Sequence, residues 1–384
     1  DKTRIMKAPV LDRPQPPADT TEYILNGKTY FYKKTISENT GEAQIFLVER
    51  EGYDYVLKLY YPQFKPKQEL LGIIKSINSS CLVKIYDYGD YISPHTFTKR
   101  TFELMEYLRG KTLDKVDVRR NAKVIREIAM RAATALQTCH VNHIIHKDIK
   151  PGNFFFRDSS HNELVLGDFG IASLCEEEEA MHQTQQARTP IFSAPEMYET
   201  IDNVVEIDPK VDFYSLGILL MYIWIGDNPF KGNERSILRL KRSGDLPFAE
   251  DLPKNLLTLF QGLTVVHPKD RWGFNEIRRW YEGEEVAVAS SPKELALSLV
   301  RNLKHYTAAL KNPEEEFYTY LKAASKTNTD YYSIFKSGKP EVTIWKLIYT
   351  LYPEGPFWLE IKPESSSNTT TYVPCNTVNE VIRN

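Results

Sequence analysis

The sequence predicts an α+β protein in two lobes: an antiparallel sheet carrying one helix, then a mainly helical lobe, with a helical C-terminal extension. From Tyr23 to about Leu104, short runs rich in Tyr, Phe, Val and Ile are broken by turn signals at Asn26-Gly27, Thr40-Gly41 and Glu51-Gly52. After Leu113 the period changes, and Val124, Ile125, Ile128, Ala132 and Leu136 recur at helical spacing. Strands grouped before helices indicate segregated layers, not alternating βαβ units.

Taken in order, residues 1–22 form a proline-rich tail, with four of the 22 prolines in its first twenty residues. Residues 23–104 make the strand-rich lobe, interrupted by a helix from Lys67 to Ile77 ahead of a strand from Leu82 to Tyr88. Residues 105–285 make the helical lobe, opening with a helix from Asn121 to Cys139. Its longest apolar run, Phe213 to Ile225, is shorter than the ~20 residues that span a bilayer and reads as a buried helix. Ser291-Pro292-Lys293-Glu294 is a capping box with proline at the first turn, and it opens the extension, residues 286–384. Leu295, Leu299, Leu303 and Tyr306 form an apolar stripe there. Further helix is expected from Glu314 to Ala324 and Thr343 to Leu351, then a polar low-complexity run from Ser365 to Thr371.

Composition narrows the function classes. With 42% hydrophobic and 26% charged residues, the 384-residue chain has an ordinary globular balance. Its net charge of −2, from 49 basic and 51 acidic residues, provides no overall field for nucleic acid or an anionic membrane. Cys81, Cys139, Cys175 and Cys375 are scattered without a CxxC pair, a pattern of free thiols that leads to a cytoplasmic expectation. The chain opens at Asp1 without a methionine, so it says nothing of a leader or anchor.

The chemistry concentrates in three segments. His146-Lys147-Asp148-Ile149-Lys150-Pro151-Gly152-Asn153 follows the long helix, Asp168-Phe169-Gly170 comes next, and Ala194-Pro195-Glu196 after it. Phosphoryl transfer calls for positioning and charge neutralisation more than for covalent help. One carboxylate must orient the attacking hydroxyl, while a second carboxylate and an amide oxygen suffice to hold magnesium, which keeps much of its water.

Over residues 23–281 the chain resembles the eukaryotic-like protein kinase family, serine/threonine branch. Three motifs in order, in a strand-then-helix context, are far more specific than any one alone. The resemblance implies a two-lobed kinase fold with ATP in the cleft, protein substrates, and ATP with Mg²⁺ (or Mn²⁺) as cofactors. It makes Asp148 the catalytic base, Lys150 the residue steadying the phosphoryl group, and Asn153 and Asp168 the metal ligands. Lys58 in Val56-Leu57-Lys58 resembles the strand lysine that grips the α- and β-phosphates, and Glu69 its helix partner after a one-residue shift, since ungapped counting lands on Leu70. Met105-Glu106-Tyr107-Leu108 resembles the hinge that meets the adenine edge, with Val56 and Phe155 sandwiching the ring. Asp212 resembles the buried anchor of the catalytic loop, and Arg271 the partner of Glu196. Thr189, in Thr189-Pro190-Ile191-Phe192-Ser193, together with Lys150 two places after the base, resembles the serine/threonine branch.

The chain also departs from the family. The expected glycine loop aligns with Glu38-Asn39-Thr40-Gly41-Glu42-Ala43-Gln44-Ile45, where no glycine stands at the three usual positions, so a stiffer loop ending at Ile45 is expected. Lys147 replaces the arginine that binds an activation-loop phosphate, and its single ammonium cannot make the same two-pronged contact. Glu176-Glu177-Glu178-Glu179 is a candidate stand-in for that phosphate, against the simpler reading of a solvated charge run; Ser173 and Thr184 are candidate phosphosites. Two rivals remain open: a pseudokinase scaffold with weak or absent catalysis, and a small-molecule phosphotransferase, which would typically lack the Ala194-Pro195-Glu196, Asp212 and Arg271 set. The extension either adds core, docks a partner, or regulates in cis.

Overall fold

The computed structural model describes residues 22–37, 41–170, 172–174, 179–180, 190–198, 204–205, 207–289, 292–301, 303–311, 339–361 and 371–375. They fall into two compact units that divide between Arg109 and Gly110.

The first unit is a six-stranded antiparallel sheet of order β1-β2-β3-β4-β6-β5, formed by β1 (Glu22–Leu25), β2 (Lys28–Ser37), β3 (Ala43–Arg50), β4 (Tyr53–Tyr60), β5 (Ile85–Ile92) and β6 (Lys99–Glu106). Alternation along each strand sorts its residues between two faces. Tyr23, Tyr30, Phe46, Val48, Leu57, Leu59, Phe102 and Leu104 meet on one face in a buried aromatic and aliphatic core. The other face carries Ile45, Val56, Lys58, Tyr60, Glu103 and Met105, as the registers Ile45↔Lys58, Lys58↔Glu103 and Val56↔Met105 require. The one helix, α1 (Gln68–Ser76), lies against β5 and buries Leu70, Leu71 and Ile74. The β5 strand begins at Ile85, three residues later than the apolar run beginning at Leu82 suggested.

The second unit opens with α2 (Ala122–Val141), capped by Asn121, whose Oδ1 accepts from Val124 N at 3.2 Å. The loop over residues 146–153 is bracketed by short strands: β7 (Ile144–Ile145) pairs with β10 (Ser173–Leu174), and β8 (Phe154–Phe156) with β9 (Leu164–Leu166). A further pair joins β11 (Glu179–Ala180) to β12 (Val204–Val205). The expected buried helix is α3 (Lys210–Ile225), apolar all round and inside the core at nearly every position. Gly217 lets it approach α5 (Lys254–Leu263): a Cβ there would stand 2.6 Å from Thr264 Cγ2. Between them runs α4 (Glu234–Ser243), and α6 (Phe274–Tyr281) follows. No helix among the described residues is long and apolar enough to cross a membrane.

The extension contains α7 (Pro292–Arg301), α8 (Leu303–Lys311) and α9 (Pro340–Leu351), whose Ala296, Leu299, Val300, Leu303, Ile344, Leu347, Ile348 and Leu351 form a core of their own. The helix expected over residues 314–324 lies outside the described residues. The sequence reading was mostly helical, yet β13 (Phe357–Ile361) and β14 (Thr371–Cys375) pair as an antiparallel hairpin. Trp358 and Tyr372 pack on the helical core, which explains why two strands close it. Thr371, expected to end the polar run, instead starts β14.

Candidate active site

The second unit builds its site on a loop whose backbone is anchored from beneath. Asp212 near the start of α3 is fully buried and accepts from His146 N at 2.9 Å, Lys147 N at 2.8 Å and His140 Nε2 at 2.9 Å. Burial pushes its carboxyl up, but the hydrogen bond and charge of His140, with help from His146, hold it below the ordinary carboxylate range. Lys147 adopts a left-handed backbone, φ +67°, uncommon for a residue with a side chain. The pair of bonds from successive amides to one carboxylate fixes that bend, which turns the following residues out as a loop.

His146 is also fully buried. Its Nε2 lies 3.1 Å from Gly167 O, and its Nδ1 accepts from Asp148 N at 3.4 Å, which sets the Nε2–H tautomer. The ring packs 4.9 Å from that of Phe169, so the loop containing Asp148 and the segment containing Asp168 are tied together. Asp168 itself is exposed, with φ +61°, beside the buried Phe169.

Asp148 is held from two sides. Lys150 Nζ donates to its Oδ2 at 2.6 Å, and Asn153 Nδ2 donates to its Oδ2 at 3.0 Å and to its carbonyl at 2.7 Å. With both amide hydrogens spent on Asp148, Asn153 keeps its Oδ1 as a hard oxygen donor, of the kind magnesium accepts. Asn153 O accepts from Gly167 N at 2.9 Å, linking the two metal-ligand candidates through the backbone. Among the described residues no group of three or more His, Cys, Asp and Glu forms a metal cluster. Asn153 Oδ1 and the Asp168 carboxylate are the hard-oxygen groups here that could hold a metal. Phe155 on β8 is half-buried opposite Val165.

A second polar cluster shapes the segment that ends in Ala194-Pro195-Glu196. Arg271 makes a two-pronged pair with Glu196, Nη1 to Oε1 at 2.7 Å and Nη2 to Oε2 at 3.1 Å, and donates to the carbonyls of Val265, Lys210 and Val266. Lys241 on α4 was not singled out from the sequence. Its ammonium is buried and donates to Pro190 O at 3.0 Å, Ile191 O at 2.6 Å and Ser193 O at 2.7 Å. Burial pushes it down to about 7. Thr189, Thr184 and Glu176–Glu178 lie outside the described residues, and Ser173 is buried in β10.

In the first unit, β3, β4 and β6 bring Ile45, Val56, Lys58 and Met105 onto one sheet face. Glu106 closes β6, its Oε1 accepting from Lys84 N at 3.0 Å; Tyr107 and Leu108 follow, half-buried. Residues 38–40 of the loop between β2 and β3 lie outside the described residues, and β3 resumes at Ala43.

Glu69 requires a correction. It is exposed on the first turn of α1 and forms no ion pair with Lys58, whereas Leu70 is buried. The helix turns its apolar stripe, Leu70-Leu71-Ile74, toward the sheet, and one residue back is about 100° away around the helix. The shift that would have brought Glu69 inward does not occur. Sequence reasoning also missed Glu103, the residue opposite Lys58. An acidic residue alternating with apolar ones inside a central strand was the available signal.

An Asp-Lys-Asn loop tied to an Asp-Phe-Gly segment and anchored by a buried aspartate, an Arg–Glu pair holding the Ala194-Pro195-Glu196 segment, and, earlier in the chain, a six-stranded sheet unit bearing a buried lysine define a kinase-like class of protein. The protein kinase domain pattern matches residues 52–280, and the chain belongs to that family. It is 26% identical over 255 residues to the serine/threonine-protein kinase PknA of Corynebacterium glutamicum, covering 63% of this chain and 51% of that protein. It is 30% identical over 186 residues to a probable serine/threonine-protein kinase of Clostridium acetobutylicum, covering 47% and 26%. Against the interferon-induced, double-stranded RNA-activated protein kinase of Rattus norvegicus it is 27% identical over 262 residues, covering 62% and 48%. The chain thus spans about half or less of the length of these relatives.

Proposed function

We propose that this chain is a serine/threonine protein kinase that transfers the γ-phosphoryl group of Mg-ATP to hydroxyls of protein substrates. The observation that carries the reading is Asp148, whose carboxylate is held by Lys150 and by the Asn153 amide. In the proposed reaction Asp148 orients the acceptor hydroxyl and takes its proton, within the range of a positioned general base. Lys150 offsets charge on the transferring group, and Lys58 of the first unit grips the phosphates. Asn153 Oδ1 and the Asp168 carboxylate would hold the metal, and magnesium or manganese bound there supplies neutralisation of the phosphate oxygens. Ile45, Val56, Met105, Glu106, Leu108 and Phe155 would bind the nucleotide.

The serine/threonine preference is supported by the names of the relatives and by Lys150 two places after the base. The buried Lys241 clamp on residues 190–193 and the Arg271–Glu196 pair suit a platform for a peptide more than a pocket for a small acceptor. The extension touches α4, the helix that carries Lys241, through the Lys293–Asp245 and Arg239–Glu354 ion pairs, which favours a cis role on that platform. Transfer of labelled γ-phosphate to the protein and to a generic Ser/Thr substrate tests the reading. Incorporation lost in Asp148→Asn supports it, and incorporation equal in both proteins sinks it. The exposed Glu69 favours one rival, a pseudokinase-type scaffold with weak or absent catalysis, which takes the lead if neither transfer nor Mg-ATP binding is found.

A further inference from the structure

We infer that Glu103, on the central strand β6, is the carboxylate that positions Lys58, in the place left by the outward-facing Glu69. The inference rests on Lys58 as the phosphate-gripping lysine proposed above, and it concerns how that lysine is held. Three observations within the first unit converge. Lys58 and Glu103 are register partners across β4 and β6, so their side chains rise side by side from the same face. Both are buried, with 6% and 2% of their surface exposed. Tyr60, two places along β4 from Lys58 and so on the same face, binds both: its hydroxyl donates to Glu103 Oε2 at 3.0 Å, and its ring lies 4.9 Å below Lys58 Nζ.

A carboxylate this deep in a sheet is costly unless it is hydrogen-bonded and opposed by a cation. The Tyr60 hydroxyl satisfies one oxygen, and the opposing cation is the strand neighbour Lys58. The end of β4 is itself fixed: Arg100 donates to Tyr60 O at 2.8 Å, to Leu59 O at 2.7 Å and to Gln44 Oε1 at 2.7 Å. Sheet geometry therefore sets where the lysine rises from the strand. A carboxylate on a helix can swing away from its lysine, whereas one on the adjacent strand keeps its register for as long as the sheet exists. On this inference Lys58 keeps a carboxylate neighbour whatever the position of α1.

Two readouts on the full chain decide the inference. The first is the split between KM for ATP and kcat in Glu103→Gln, which keeps the shape and the Tyr60 acceptor but removes the charge. KM for ATP is expected to rise about tenfold, the loss of one charge-assisted contact, and Tyr60→Phe to follow in the same direction by less. The second does not need turnover: acylation of the Lys58 amine by an amine-reactive reagent, read by peptide mass spectrometry. Without the neighbouring carboxylate the proton is held less firmly on the amine, and labelling at a fixed pH is expected to rise several-fold. Thermal melting of each variant separates these effects from unfolding, with Glu103→Asp as the conservative restoration. The inference is overturned if Glu103→Gln changes neither readout by more than about twofold, or if Glu69→Gln moves both further than Glu103→Gln. Persistence of transfer in Asp148→Asn would instead overturn the kinase reading, and the labelling result would still decide the role of Glu103.

Discussion

The two units hold their working residues by different means. In the second unit, Asp148 sits on a loop with no regular structure, and the loop is fixed by side chains: Asp212 takes three donors, His146 spans to Gly167, and Asn153 returns to Asp148. In the first unit, Lys58 sits inside a sheet, and its place is set by backbone pairing with Ile45 on one side and Glu103 on the other. A loop site depends on named side chains at fixed spacing, so its sequence pattern is specific. A sheet site requires only that strands alternate and pair, so the supporting residues can change.

The largest expected effect is at the loop. Asp148→Asn should lower kcat by roughly 10²–10⁴-fold with little change in stability, because the amide retains shape but cannot accept the proton. Single-turnover transfer, with thermal melting as the control, checks it; a loss below tenfold would mean that Asp148 positions without acting as a base. Next is the buried pair beneath the loop. Arg271→Ala removes five donor contacts and leaves Glu196 without its guanidinium, and should destabilise the protein by about 3–5 kcal/mol in urea unfolding. A loss under 1 kcal/mol would show that the second unit depends on its apolar core far more than on these side chains.

That contrast also explains what was legible in the sequence. Asp148, Lys150, Asn153, Asp168, Asp212, Glu196 and Arg271 could be singled out because each belongs to a short motif through which the chain resembles the kinase family. The strands could be placed from Tyr/Phe/Val/Ile-rich runs between turn signals, whereas the sheet face shared by Ile45, Val56, Lys58 and Met105 emerges only from the strand registers. Glu69 was misplaced because one step along a helix changes face, and a single carboxylate next to Leu70 and Leu71 does not say which residue turns inward. Lys241 could not be found, since Leu240-Lys241-Arg242 reads like any basic helix end; its burial comes from tertiary contacts with the carbonyls of residues 190–193 and the rings of Tyr214 and Phe230. The β13–β14 hairpin was missed because its strands are separated by a polar run that looked like a tail.

Lys241 sharpens the comparison through pH. Its ammonium titrates near 7 in the folded protein against about 10.5 when unfolded. Between those values the unfolded chain holds a proton that the folded one has lost, so stability linked to Lys241 rises with pH across that window and is flat below it. Relative to Lys241→Met, the wild type should gain up to about 1.4 kcal/mol per pH unit from pH 7 upward, measured by urea unfolding at pH 6.5, 8 and 9. Over the same window a neutral amine has two hydrogens for three carbonyls, so KM for a peptide substrate should rise above pH 7 in the wild type alone. A parallel pH response in both proteins would mean that the three carbonyls keep the amine charged.

The smallest effect is expected where the extension meets α4. Arg239 and Glu354 are both about half exposed, and their pair should contribute well under 1 kcal/mol. Lys293 and Asp245 are less exposed, and the Lys293 ammonium also lies 5.2 Å over the Tyr352 ring. Burial pulls that ammonium down, but its bond to Asp245 outweighs burial and holds it above the ordinary lysine value. A double-mutant cycle on Lys293→Ala and Asp245→Ala should return a coupling of about 0.5–1 kcal/mol. Peptide KM measured on the same four proteins then tells what the coupling is for. The extension has its own apolar core besides this pair. If coupling is present and KM follows it, the pair transmits the position of the extension through α4 to the carbonyls held by Lys241. If coupling is present and KM is unmoved, the pair only fastens one packed body to another.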